Sequence, residues 1–286
     1  MRTESFSGIY WKLLYELVGC AVSPRSDAYE ERNARTGVVV RALPGGQSFK
    51  LDLSEGRLPM VGNRRTYPRI AAAEVAWQFM GTQDPAFVME HAPKLWSKFI
   101  EGGKLLTAYG YRWRKHFGRD QLGEALAALA GDGSYRRAYI SSWDPARDGL
   151  TEKDQPKNLP CPVGFSITRQ DKTLHMSFLL RSSDVFVGLP YDVMSYALTQ
   201  RAIASELGCE PGTLHVTLAH AHIYEPHFEM ARRSLDLNVS GGMEPWMPTE
   251  SISQILADPH KYVAGMADLA RSVPWHEYDP KPDVVL

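Results

Sequence analysis

Cysteine is scarce in this chain. Its three copies, Cys20, Cys161 and Cys209, are scattered, which excludes a disulfide framework and a CxxC metal site and fits a reducing compartment, so a cytoplasmic location is expected. A surplus of one charge is also missing. With 32 Lys and Arg against 33 Asp and Glu, no general field draws nucleic acid or an anionic membrane, and any anion site must be gathered locally from small groups of arginines. Long apolar runs are absent as well. The N-terminal SGIYWKLLYELVGCAV is broken by Lys12 and Glu16, and no window approaches ~18 uninterrupted apolar residues, so neither a signal peptide nor a membrane span is expected.

What is present suits a folded domain: 286 residues, 44% hydrophobic and 23% charged, enough for one core and a single domain over residues 1–286. Ile9, Leu13, Leu14, Leu17 and Val18 recur at helical spacing and predict an amphipathic helix over 8–22. SPRSDAYEERNARTG reads as a loop, and GVVVRAL and FKLDL as strands joined by a Pro-Gly-Gly turn into a hairpin. RIAAAEVAWQFMG is a helix ending at Gly81, and APKLWSKFIEGG a second, shorter one. GRDQLGEALAALAGDG is helical, RRAYISSW is a strand, and residues 144–159 are a polar connection. PVGFSITRQ, TLHMSFLLRSSD and TLHVTLAHAHIYE are strands, with YDVMSYALTQRAIASELG a long helix between the last two. Strands and helices mix without regular alternation, so the expected class is α+β with a mixed sheet.

Several residues have the chemistry of a site. Cys161 in NLPCPVGF lies where a loop gives way to a strand, and Arg181 follows about one hairpin later; a nearby guanidinium is what a thiolate nucleophile needs, while an inert buried thiol is the other reading. Arg35, the pair Arg136 and Arg137, and Arg181 followed by Ser182 offer forks and a hydroxyl for a phosphate, or ordinary surface charge. Glu74 is the one charge in an apolar helical run, where a carboxyl has a raised pKa and can move protons near neutrality. His220, His222 and Tyr224 alternate along a strand and share a face. Two such histidines suit a metal, but no third ligand shows at metal spacing, so sugar-hydroxyl contacts or strand packing are expected and no metal. Trp96 is either a stacking platform or core.

In chain order, NARTG, AEVAWQFMG, AYGYRWR, SYRRAYISSW, LPCP, RSSDVFVGLPYDVMSYA and AHAHIYEPH resemble the thymidylate synthase segments NDRTG, HELLWFLQG, VYGKQWR, SRRIIVSAW, PPCH, RSxDxxxGxPFNIxSYA and DAHIYxNH. The resemblance runs from about residue 9 to EYDPKP. It implies a mixed sheet with flanking helices, dimerised through sheet faces, and a pyrimidine nucleoside monophosphate as substrate. By the same resemblance Cys161 attacks C6 of the pyrimidine, and C5 then attacks the methylene of 5,10-methylenetetrahydrofolate. Arg35, Arg181 and Ser182 hold the 5'-phosphate, and Arg136 and Arg137 reach it from the partner of a homodimer. His222 and Tyr224 contact the sugar, Glu74 orders water, and Tyr109 helps remove the C5 proton. Trp96, Asp184, Gly188 and Tyr191 line the folate pocket, with Arg64 where the family has a lysine near the folate tail.

The departures carry the specificity. Asp192 stands where the synthases have an asparagine whose amide matches uracil; a carboxylate instead suits the amino group and N3 of cytosine, as in the deoxycytidylate hydroxymethylases of the family. Asn158 replaces a leucine that covers the position of the transferred carbon, and a polar amide there admits the water that hydroxymethylation needs. His220 replaces an aspartate and Pro162 a histidine. Ser182 and the Arg136–Arg137 pair keep the deoxynucleotide arrangement. The expected reaction is therefore dCMP to 5-hydroxymethyl-dCMP, with CMP hydroxymethylation, dCMP methylation and thymidylate synthesis as rivals, and a catalytically silent nucleotide- or RNA-binding protein as the alternative from another class.

Overall fold

The computed structural model describes residues 4–19, 27–33, 36–131, 136–149, 156–237, 244–271, 278–282 and 284–285. The chain begins with helix α1 (Phe6–Val18), whose Ser5 side chain caps the Gly8 N–H at 3.3 Å and whose Tyr10, Leu13, Leu14, Leu17 and Val18 are buried. Strands β1 (Tyr29–Arg32), β2 (Val39–Ala42) and β3 (Gln47–Asp52) follow. Next come α2 (Pro68–Met80), α3 (Ala86–His91), α4 (Pro93–Trp96), α5 (Tyr109–Tyr111) running into a π-helical turn at Arg112–His116, and α6 (Gln121–Leu129). Strands β4 (Tyr139–Ser141), β5 (Pro162–Gln170), β6 (Thr173–Leu180) and β7 (Ser183–Asp184) lead to helix α7 (Leu189–Glu206). The described chain is completed by β8 (Glu210–Leu218), β9 (Ala221–Tyr224), α8 (Phe228–Leu235), α9 (Ile252–Ala257) and α10 (Pro259–Arg271).

The strands form two sheets, β1-β2-β9-β7 and β3-β8-β6-β5-β4. Both are mixed, with β6 parallel to β8 and β7 parallel to β9 among antiparallel neighbours, so the α+β expectation is met. The expected hairpin of β2 on β3 is not. β2 pairs with β1 and β9, and β3 pairs with β8. Pro44-Gly45-Gly46, with Gly45 at φ 66°, turns the chain out of one sheet into the other, a path open to a residue without a Cβ. TLHVTLAHAHIYE and TLHMSFLLRSSD, each expected as one strand, divide in the same way into β8 with β9 and β6 with β7. Three neighbouring strands thus cross from sheet to sheet at one level, sewn together by Leu43 N–H to the Ala221 carbonyl (3.0 Å), Ala219 N–H to Leu180 (2.8 Å) and Ser183 N–H to His220 (2.9 Å).

Other expectations shift in detail. The loop expected over 23–37 contains β1, whose side chains are all exposed, so no alternation of apolar residues marked it. The helix expected over 92–103 ends its α-helical part at Trp96 and finishes as a 3-10 turn, Ser97–Phe99. On α2 the expectation holds to the residue before Gly81. Ala71, Ala72, Ala73, Val75, Ala76, Trp77 and Phe79 are buried on this helix, which packs against α3, α5, α7, α9 and α10. No helix among the described residues is long and apolar enough to cross a membrane.

Candidate active site

The sheet crossing is where the predicted residues gather. Cys161 ends the loop before β5, and its carbonyl accepts the N–H of Arg181 at 2.9 Å, so pairing β5 with β6 (Pro162 opposite Leu180) brings the two residues together as their spacing suggested. Cys161 is half-buried and not disulfide-bonded; Cys20 lies outside the described residues. The Arg181 guanidinium donates to the carbonyls of Pro160 (2.8 Å) and Leu159 (3.4 Å) and lies 5.5 Å from the centre of the Trp143 ring. In this state Arg181 braces the loop that presents the thiol.

Above the thiol, α2, α5 and α7 each contribute one acidic group. Burial foremost, then charge on Cys161, Asp192, Glu74 and Tyr196, holds the Tyr109 hydroxyl well above the usual tyrosine range, which places those groups around it. Burial raises Glu74 from 4.5 to about 7 against the 3.3 Å hydrogen bond from Gln78 Nε2. Asp192 lies in the first turn of α7, its N–H on the Gly188 carbonyl at 3.0 Å. The helix dipole favours an anion there by roughly 0.3–1 kcal/mol, less than one pKa unit. Burial, then the charges of Glu74 and Asp184, win instead and push Asp192 well above the carboxylate range. The result is a cluster in which neither Asp192 nor Glu74 is a simple surface anion: both carboxyls are held above the usual range, Glu74 at about 7.

A small cavity reaches this cluster at Tyr109 and is otherwise lined by Trp77, Trp96, Leu105, Thr107, Ala108 and Asn158. Trp96 meets Trp77 at 5.5 Å between ring centres, so the predicted tryptophan belongs both to a small apolar cluster and to the cavity wall. Thr107 Oγ1 donates to the Asn158 carbonyl and fixes that residue in the wall. Tyr191 is half-buried at the start of α7, beside Arg64 and the Tyr67 backbone. The C-terminal residues lie over the same side. Tyr67 donates to both Asp279 oxygens (2.9 and 2.8 Å), Arg65 N–H to the Tyr278 carbonyl (3.0 Å) and Lys98 Nζ to the Val284 carbonyl (3.3 Å).

On the opposite flank, His220 and His222 approach through their Nδ1 atoms at 3.3 Å, and the His222 ring meets Tyr224 edge-on at 5.1 Å. The shared face read from their alternation is present. Ser182 is half-buried at the same crossing, and Arg136 and Arg137 are exposed on the turn before β4. Arg35 lies outside the described residues.

Two residues expected at the folate pocket, Arg64 and Asp184, are engaged within the chain. Arg64 is only 2% exposed, and its guanidinium is consumed by the Tyr10 hydroxyl (3.0 Å), the Arg65 carbonyl (3.3 Å) and the Phe186 carbonyl. A buried guanidinium engaged on several sides tethers α1 to the loop before α7. Asp184 spends Oδ1 on the N–H groups of Phe186 (3.0 Å) and Val187 (3.1 Å), while its carbonyl accepts from Gly188 at 2.9 Å. Its first task is to shape the turn that starts α7, with Oδ2 3.9 Å from His227 Nδ1.

Sequence reasoning overlooked Tyr196 and Glu31. Tyr196 is four residues after Asp192 on α7, one turn along the same face. It is 2% exposed, stacks on Phe178 at 4.1 Å, and its hydroxyl is buried without a hydrogen bond. Glu31 sits on β1, in the segment read as loop, with Oε1 3.2 Å from His220 Nε2. Among the described residues the only close group of three metal-capable donors is Glu90, His91 and His260, between α3 and α10; it does not include the histidine pair of β9.

A half-buried thiol at a sheet crossing, two carboxyls whose pKa values are raised and an aromatic-lined cavity that includes Tyr109 form a setting for covalent chemistry on a small ring. A family model described as thymidylate synthase matches residues 24–254. The chain belongs to the thymidylate synthase family, one-carbon transferases acting at C5 of pyrimidine nucleotides with methylenetetrahydrofolate as co-substrate.

Proposed function

We propose that the protein is a deoxycytidylate 5-hydroxymethyltransferase, converting dCMP, 5,10-methylenetetrahydrofolate and water to 5-hydroxymethyl-dCMP and tetrahydrofolate. The observation that carries the reading is Asp192: a half-buried carboxyl in the first turn of α7, beside Glu74 and Asp184, which with burial hold it well above the usual carboxylate range. N3 of cytosine is a ring-nitrogen base able to take a proton from that carboxyl, and the carboxylate left behind accepts from both N3–H and the 4-amino group. Uracil already carries a proton on N3 and offers only O4, a carbonyl oxygen and a far weaker base. Proton donation to the ring draws electrons from C6, where the Cys161 thiolate adds.

The bonds balance in three stages. Cys161 Sγ bonds to C6, and the electron pair displaced to C5 forms the bond to the one-carbon unit, which the co-substrate supplies at the oxidation level of formaldehyde. Loss of the C5 proton, with Tyr109 and Glu74 surrounding the reacting face, and cleavage of the bond between the one-carbon unit and the folate nitrogen, whose electron pair leaves with tetrahydrofolate, give an exocyclic methylene. Water then adds to that methylene as the pair returns through the ring and expels Cys161. Glu74, titrating at about 7, is matched to moving protons at neutral pH. Asn158 in the cavity wall supports water as the final nucleophile, and Trp77 and Trp96 beside it are side chains of the kind that stack on a flat ring such as a folate's.

Arg181 and Ser182 at the crossing are the proposed phosphate ligands of the same subunit, with Arg35. In this reading Arg136 and Arg137 complete the phosphate site of the other subunit in a homodimer; their exposure beside the edge strand β4, together with the outward Tyr139 and Leu179 on the five-stranded sheet, supports that assembly. His222 and Tyr224 take the sugar. The deciding experiment incubates the protein with methylenetetrahydrofolate and dCMP, CMP or dUMP in separate reactions and weighs the nucleotide product. A gain of CH2O on dCMP is expected. A gain of CH2 with dihydrofolate formed, or turnover confined to CMP or dUMP, would overturn the assignment.

A further inference from the structure

His222 is a neutral imidazole whose two nitrogens have different surroundings, and three atoms outside it determine which one holds the proton. Glu31 Oε1 lies 3.2 Å from His220 Nε2. A carboxylate only accepts, so whenever the His220 ring carries a single proton that proton sits on Nε2, toward Glu31, and Nδ1 presents a lone pair. That lone pair is 3.3 Å from His222 Nδ1, and two ring nitrogens at this distance need one proton between them. It therefore belongs to His222 Nδ1. The backbone carbonyl of His220, also an acceptor, acts on the His222 ring in the same sense. His222 is 6% exposed, and its burial disfavours a second proton. Its Nε2 is then a bare acceptor.

We propose that Glu31 and His220 are positioning residues which hold His222 in the Nδ1–H tautomer, so that His222 Nε2 accepts a hydrogen bond from a ligand hydroxyl. The order Glu31, His220, His222 runs from β1 across the crossing to β9, and each link fixes the polarity of the next. A free imidazole in water prefers its proton on Nε2, the tautomer that would donate to a hydroxyl instead of accepting from it. That the hydroxyl is a nucleotide sugar's rests on the function proposed above; the tautomer does not.

The test is 15N NMR of the full-length protein labelled at histidine, with His222 assigned by loss of its signals in His222→Gln. The wild-type protein is expected to show a protonated Nδ1 and a pyridine-like Nε2. His220→Leu and, on the exposed strand, Glu31→Gln should move His222 toward Nε2–H, whereas His220→Asp should keep it in place because a carboxylate accepts directly from Nδ1–H. With dCMP as the nucleotide, His220→Leu should raise KM by about tenfold, the worth of one hydrogen bond, and more than it lowers kcat, with His220→Asp recovering most of that loss. A wild-type His222 protonated on Nε2, or a tautomer unmoved by both His220→Leu and Glu31→Gln, overturns the proposal whatever the nucleotide kinetics. If the tautomer behaves as expected while KM for dCMP, CMP and dUMP stays unchanged in His220→Leu, the assignment of Nε2 to a sugar hydroxyl is overturned and the tautomer control stands.

Discussion

Gly110 on α5 lies directly against the backbone of Gln78 on α2: a Cβ at Gly110 would stand 1.8 Å from the Gln78 carbonyl oxygen. Backbone against backbone sets the distance between Tyr109 and Glu74, the neighbours of these two residues along their helices. Gly110→Ala must push α5 away, costing about 1–3 kcal/mol by overpacking and carrying Tyr109 out of the acid cluster. Thermal unfolding should show the destabilisation, and the protein that remains folded should have lost most of its turnover. A variant with wild-type melting and wild-type rate would show that the two helices are not held at this separation.

Asp192→Asn exchanges an acid for an amide that keeps shape and hydrogen bonding but has no proton to give. The specificity constant for dCMP should fall by about 100-fold or more, with dUMP becoming the better substrate. Competition between the two nucleotides in a single reaction reads the shift directly. Retention of dCMP preference would remove Asp192 from base recognition.

Glu74 makes the protein's stability depend on pH with a definite sign. Its carboxyl titrates at about 7 when folded and near 4.5 otherwise, so between these values the folded chain holds a proton that the unfolded chain has released, and stability falls as pH rises. The contribution is complete below pH 4.5 and gone above about 7, a total of about 3 kcal/mol. Urea titrations at pH 5, 6 and 8 should show Glu74→Gln gaining on the wild type by about that amount across the range. Turnover should run the other way, rising with pH through about 7 in the wild type, since a base must first lose its proton. In Glu74→Gln the rate should fall by roughly 10²–10⁴.

The stability of the wall behind the cavity rests on Arg112 and Asp148, each 1% exposed. Arg112 is bidentate to Asp148 and also donates to the Ser142 carbonyl at 2.6 Å, from the π-helical turn that continues α5. Asp148→Ala leaves a buried guanidinium unpaired and should cost about 3–5 kcal/mol in denaturant unfolding. Replacing both residues by apolar ones of similar volume should recover much of that loss, since the pair pays desolvation on both sides.

Much of this was legible in the sequence where one local rule applied. The apolar surround of Glu74 announced a shifted carboxyl because the helix has almost no polar face. The alternation of His220, His222 and Tyr224 placed three rings on one side of a strand. The burial of Arg64 was not legible because a charged residue's burial depends on partners, Tyr10 and Phe186, that are distant in the chain. β1 was missed because an exposed strand has no hydrophobic period, and Glu31 was missed with it.

The chain's order of motifs, and the acid at position 192, are determined by the sequence alone, as are the helices whose apolar period or capping residues are local properties. The sheet crossing was decided elsewhere. GVVVRAL, FKLDL, TLHMSFLLRSSD and TLHVTLAHAHIYE each allow a continuous strand or a hairpin by their own patterns, and only their mutual hydrogen bonding breaks them at a common level. That break sets His220 beside Glu31. The raised pKa of Asp192 was decided there too, because a carboxyl's affinity for a proton is set by what surrounds it, and Glu74 and Asp184 reach it only when α2, β7 and α7 have packed.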